Sequence, residues 1–263
     1  MATRRGWIAG LLLASWALGW GGAQVATAAE VRVAAASDLK FALDDLVAAF
    51  GRATGVSVQP VYGSSGQLTR QIEQGAPFEL FLSADEEFVF RLAERRLTRD
   101  RGSLYAEGRL ALFVPRGSPV AVAADLSGVR SALAAGTLER FAIANPEHAP
   151  YGRAAEQALR HAGLWEAMQG RLVLGENVSQ AAQFAASGNA GAGLIAYSLA
   201  LAPTFRDRGE WVLVDAAWHR PLRQRMVLLR GASAPASRFY AYLQTPEARR
   251  LLARYGFTVP PQP

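Results

Sequence analysis

Four short stretches carry groups able to hold an anion. Ser37-Asp38 ends the apolar run "VRVAAAS", and Gly63-Ser64-Ser65-Gly66 follows "VSVQPVY". "NPEHAPYG" (Asn145–Gly152) follows "RFAIA", and Glu176-Asn177-Val178 follows "RLVLG". Each stands where an apolar, strand-like run gives way to an amphipathic one. The first turn of a helix leaves N–H groups unpaired and places the positive end of the helix dipole there. Two of the corners add serine hydroxyls, so the four together are rich in donors and mostly uncharged. About half a dozen such donors can surround tetrahedral oxygens without a salt bridge, which suits a fully dehydrated oxyanion. Each corner also has a plainer use: Ser37 or Asp38 as a helix N-cap, GSSG as a turn, the two-proline loop as a rigid connection. Their recurrence at equivalent strand ends in both halves of the chain is what points to a site.

Other chemistries find little support. His148, His161 and His219 lack the i, i+4 spacing of a zinc-binding pair, so no metal site is expected. The chain has no cysteine, which excludes thiol and disulfide chemistry as well as a lipid anchor on an N-terminal Cys. No G-x-S-x-G elbow occurs, and no acid and histidine follow in an order that would activate a serine. "GNAGAG" precedes a strand instead of opening a helix, so it is not a nucleotide-binding loop. Asp44-Asp45 and Glu86-Glu87 read as solvated helix positions. No enzymatic activity and no cofactor are therefore expected. A serine hydrolase or transferase using Ser65 stands as the alternative from a different class.

The elements that must position these corners alternate. "VRVAAAS" is a strand, and Leu39, Leu43, Leu46, Val47 and Phe50 then share one helical face up to Gly55. "VSVQPVY", the helix through Leu68 and Ile72, the strand "PFELFLSAD" and the helix through Phe88 and Leu92 continue the pattern. A second unit alternates in the same way from "RFAIA" to "AGLIAYS". The strand-like runs near Arg109–Pro115 and Arg223–Arg230 join the two units, and two helices close the chain. This predicts an α/β protein of two lobes, each a mostly parallel sheet flanked by helices, joined by two crossing strands. The limits are residues 30–108 with 226–263 for lobe 1 and 109–225 for lobe 2. Ligands in such folds bind outside the carboxyl ends of the strands, where all four corners fall.

Ahead of the first strand, Arg4 and Arg5 precede the apolar "GWIAGLLLASWALGW" and the small residues of "AQVATAAE". That pattern reads as a signal peptide over residues 1–29, cleaved after Ala28 or Ala29, and not as a membrane anchor; either Sec or twin-arginine export fits it. Without Arg4 and Arg5, 26 basic residues face 22 acidic ones, lowering the net charge from +6 to +4. The basic residues are scattered, and the densest run, "AERRLTRDRG", holds Glu94 and Asp100. No nucleic-acid partner is expected. Location in the periplasm is.

In order and spacing, "AAASDLKFALDDL", "YGSSGQLTRQIEQGAPFELFLSAD", "IANPEHAPYGRAAEQAL", "GENVSQAAQF" and "YLQTPEARRLLARYGFTVP" resemble the periplasmic molybdate-binding proteins of ABC transporters. The resemblance spans the chain from Glu30 onward. It implies a two-lobed receptor, monomeric, that closes on molybdate or tungstate and delivers it to a membrane permease and its ATPase. Residue by residue, it places the ligand-binding hydroxyls on Ser37 and Ser65 and the ligand-binding N–H groups on Tyr151 and Val178. Ser64, beside Ser65, is then a local cap. Tyr197 stands near a tyrosine that some relatives use, one position later than the simplest alignment puts it. Asp38 departs from relatives with a neutral residue there, since a carboxylate beside a dianion repels it unless it points away. A receptor for another oxyanion, such as sulfate or phosphate, is the alternative within the same class.

Overall fold

The computed structural model describes residues 30–261; the predicted signal peptide lies outside them. The chain opens with β1 (Glu30–Ala36), a 3-10 turn (Ser37–Leu39) and α1 (Lys40–Thr54). It continues through β2 (Ser57–Gly63), α2 (Ser65–Glu73), β3 (Leu80–Ser83), α3 (Glu86–Glu94) and β4 (Ser103–Gly108). β5 (Leu110–Pro115), α4 (Ser127–Ala134), β6 (Phe141–Ala144), α5 (Pro150–His161) and α6 (Trp165–Met168) follow. Next come β7 (Leu172–Gly175), α7 (Val178–Ala186), β8 (Ala192–Ala196), α8 (Tyr197–Ala200), α9 (Pro203–Arg206) and β9 (Gly209–Leu213). β10 (Leu222–Leu228), α10 (Ala234–Leu243) and α11 (Pro246–Arg254) complete the described chain.

The strands form two five-stranded sheets, ordered β2-β1-β3-β10-β4 and β7-β6-β8-β5-β9. In each, the first three strands are parallel and the fourth runs against them: β10 in the first sheet, β5 in the second. The two halves therefore repeat one plan, as the alternation of the sequence predicts. Parallel strands need crossover helices, and helices on both faces bury both faces. β1 shows the result. Val31, Val33 and Ala35 pack toward α1, α10 and α11 with Leu43, Leu46, Phe239 and Leu252, while Ala34 packs the other way with Leu68, Phe81 and Val89 from α2, β3 and α3. α1 stops at Gly55, whose left-handed φ of 70° suits glycine. The second lobe has one core, built on Leu112, Phe113, Phe141, Ile143 and Leu194. Ala36 and Ala84, at the ends of β1 and β3, join that core across the lobe boundary.

The chain passes from the first sheet to the second between Gly108 and Leu110 and returns over residues 214–221. All of β10 lies in the first sheet, with Leu222 opposite Gly108, so a boundary at 225/226 falls inside a strand. The crossings themselves are the short segments before β5 and β10, and Gly108 and Leu222 set them side by side. Among the described residues, no helix is long and apolar enough to cross a membrane.

Candidate functional site

The strand ends of both sheets converge on a small, tightly closed cavity between the lobes. Its wall is Ala36, Ser37, Asp38, Gly63, Ser64, Ser65 and Ala84 from the first lobe and Ala149, Pro150, Tyr151 and Val178 from the second. Ser37, Asp38, Ser64, Ser65, Tyr151 and Val178, singled out in the sequence, are thus brought together. All six are buried, Ser65 completely.

The hydroxyls of the first lobe differ in how they are held. Ser65 Oγ accepts the backbone N–H of Ala84 at 3.0 Å, and Ser37 Oγ accepts that of Ser179, across the lobe boundary, at 3.3 Å. In each case the N–H occupies an acceptor site and leaves the O–H proton free to donate elsewhere. Ser64 is committed locally. Its Oγ caps α2 by accepting from Gln67 N and pairs with His148 Nδ1 at 2.9 Å. Burial holds His148 below the ordinary imidazole value, which favours the neutral ring. Neither Ser37 nor Asp38 caps a helix: a 3-10 turn follows β1 with no side-chain cap. This corrects the capping role their position suggests. The turn is held instead from the second lobe, where Ser179 Oγ donates to Ser37 O and Ser198 Oγ to Asp38 O, both at 2.8 Å.

The second lobe presents backbone. Pro150 opens α5 and puts the Tyr151 N–H in the first turn, while Asn177 caps α7 by accepting from Gln180 N at 3.1 Å and puts the Val178 N–H there. Neither helix offers an acceptor to those first-turn groups. The Tyr151 side chain points the other way. Its hydroxyl donates to Asp38 Oδ2 at 3.2 Å, and Gln224 Nε2 donates to the same oxygen at 2.6 Å. Tyr105 completes this buried network by donating to Gln224 Oε1 at 2.7 Å. Burial pushes the Asp38 carboxyl up to about 6, against the lowering effect of the hydrogen bonds from Gln224, Tyr151 and the nearby backbone N–H groups of residues 38 and 39.

Tyr197 is not brought to the cavity. β8 ends at Ala196, and Tyr197 is the first residue of α8, its ring 4.9 Å from that of Trp211 and against Gly256. Strand alternation therefore does not govern its direction. His148, Gln224 and Tyr105 were missed in the sequence because their roles depend on partners far along the chain.

The lobes are closed on each other. Gly66 N donates to His148 O at 2.9 Å, and a Cβ on Gly66 would stand 2.6 Å from that oxygen, so only glycine permits this approach. Arg153 Nη2 meets Asp85 Oδ2 at 2.6 Å, and Gln67 donates to Glu176, both across the cleft.

Two sheets of one plan, adjacent crossings and a donor-lined cavity between the lobes define a receptor that closes around a small solute. Residues 31–258 match the model of the bacterial extracellular solute-binding proteins, and the chain belongs to that family. Its function is therefore extracytoplasmic binding and not catalysis. The molybdate-binding protein ModA of Rhodobacter capsulatus is 37% identical over 246 residues, covering 92% of this chain and 93% of that one. The solved periplasmic molybdate-binding protein of Azotobacter vinelandii superposes with a TM-score of 0.80 at 29% identity, over 88% of this chain and all of its own. The sulfate-binding protein SubI of Mycobacterium tuberculosis shares the fold alone, with a TM-score of 0.71 at 15% identity, over 87% of this chain and 86% of that one.

Proposed function

We propose that this protein captures molybdate or tungstate in the periplasm and delivers it to the permease and ATPase of an ABC transporter. It acts as a monomer, after removal of residues 1–29, with no cofactor and no nucleic-acid partner. The observation that carries the reading is the pair Ser37 and Ser65: two buried hydroxyls, each with an acceptor site taken by a backbone N–H and a proton left for the cavity. In this reading the N–H groups of Tyr151 and Val178 complete the shell from the second lobe. Ser64 and Tyr197 stay outside it. The lobes, 30–108 with the C-terminal region and the stretch between the two crossings, swing about those crossings, and the closed surface differs from the open one in what it offers the permease. The likeness to proteins named for molybdate supports the choice of ligand over sulfate or phosphate.

Calorimetric or thermal-shift titration with molybdate, tungstate, sulfate and phosphate tests this. A ligand that binds only the native protein adds RT ln(1 + [L]/Kd), about 2.7 kcal/mol at about 100 Kd. Molybdate and tungstate are expected to raise the melting temperature. Silence with both beside a clear shift with sulfate would move the assignment to another oxyanion.

A further inference from the structure

Of the described residues that line the cavity, Asp38 alone carries a carboxyl group, and it does so where a dianion is to be enclosed. Asp38 is 1% exposed. Its side-chain hydrogen bonds, from Gln224 and Tyr151, both fall on Oδ2, while Oδ1 is buried without a hydrogen-bond partner. Among side chains, two donors fall on Oδ2 and none on Oδ1, an arrangement that suits a carboxylic acid with Oδ2 as its carbonyl and Oδ1 as its hydroxyl, against the pull of the nearby backbone N–H groups of residues 38 and 39. The titratable groups facing it are phenols: Tyr151 from α5 and, through Gln224 on β10, Tyr105 from β4. Burial keeps both phenols protonated. α7 and α8 bring only the Ser179 and Ser198 hydroxyls, which bond the carbonyls of Ser37 and Asp38. No basic side chain acts on the carboxyl from any of these elements.

Resting on the oxyanion reading above, we propose that Asp38 is the neutral acid in the closed protein, that anion capture takes up one proton from solvent there, and that the Oδ1 hydroxyl joins the donors facing the anion. Asp38 thereby becomes a specificity residue: ionised it repels a dianion, neutral it binds one. Closure brings Tyr151 of the second lobe over Asp38 of the first and removes the carboxyl from water. Burial alone favours the acid, and a nearby dianion favours it further. The sign follows. The closed, loaded protein holds the proton more firmly than the open one, so affinity is highest at low pH, falls as pH rises from the open protein's carboxyl value to the loaded protein's higher one, and levels off above that.

The test is calorimetry with molybdate and tungstate, from about pH 5 to about pH 8.5, in two buffers of different ionisation enthalpy. The expected result is uptake of up to one proton per anion in the lower part of the range, with Kd rising by up to about tenfold per pH unit there and levelling off at the upper end as uptake disappears. Asp38→Asn, which keeps the carbonyl and replaces the hydroxyl by an amide donor, is expected to take up no proton, to bind with little pH dependence and to bind more tightly than the parent at the highest pH. Binding of molybdate with no proton uptake by the unaltered protein would overturn the proposal and leave the oxyanion reading standing. No binding of either anion would overturn both. Phosphate binding that Asp38→Asn abolishes would overturn the proposal and move the ligand assignment to another oxyanion, because it would mean an ionised carboxylate accepting a proton from the ligand.

Discussion

On the side of the first sheet the cavity wall is hydroxyl: Ser37 at the end of β1 and Ser64 and Ser65 at the start of α2. On the side of the second sheet it is backbone, the first turns of α5 and α7, entered through Pro150 and Asn177. The two lobes share one strand plan yet meet the same space with different chemistry. A hydroxyl donor is fixed by residue type, so its position is legible as serine. An N–H donor is fixed by the helix, which frees the side chain at that position for other work. Tyr151 uses that freedom: its backbone opens α5 and its hydroxyl reaches back to Asp38.

The comparison can be broken most severely at the contact between the lobes. Gly66→Ala places a Cβ 2.6 Å from His148 O, and misfit of this kind costs about 1–3 kcal/mol. The loss should fall at the top of that range and lie in molybdate affinity, seen by calorimetry. The ligand-free melting temperature should hold, since open lobes do not feel the clash. Next, Ser65→Ala and Ser37→Ala should each weaken molybdate binding by about 1–3 kcal/mol by leaving a buried anion short of a donor. An unchanged affinity for both would remove hydroxyls from the site. On the backbone side, Asn177→Ala removes a cap and leaves the Val178 N–H in place, so a loss of about 1 kcal/mol in stability and a smaller one in affinity are expected in denaturation and binding curves. Last, Tyr197→Phe should leave molybdate affinity within about twofold, because the ring packs on Trp211 outside the cavity.

Much of this frame is readable in the residues. The alternation of apolar runs and helical faces yields both sheets, and Gly55 and the Ser64 turn mark a helix end and a helix start as their types suggest. β4, "SLYAEG", went unread because it lacks a period-two pattern: Tyr105 and Ala106 are buried side by side. The start of α8 was hidden for a different reason. Ala196 offers no capping side chain, so "AGLIAYS" reads as unbroken strand. The state of Asp38 could not be read locally at all, because its partners lie 113 and 186 residues away. What the sequence around Ser37-Asp38 does show is a mismatch between a carboxylate and an anion site, and only the fold resolves it.

Gly108 sits where the chain first leaves one sheet for the other, opposite Leu222 on the returning path. A Cβ there would lie 2.2 Å from the Tyr151 hydroxyl and 2.8 Å from Gln224 Nε2. The crossing thus touches the network that holds Asp38 at the cavity wall. In mechanical terms the solute sits close to the fulcrum of a lever. A rotation that shifts the donors only slightly sweeps the outer rims of the lobes through a much longer arc. In the reading proposed above, capture of one small ion would thereby be amplified into a change of outline that a protein docked across both rims could feel.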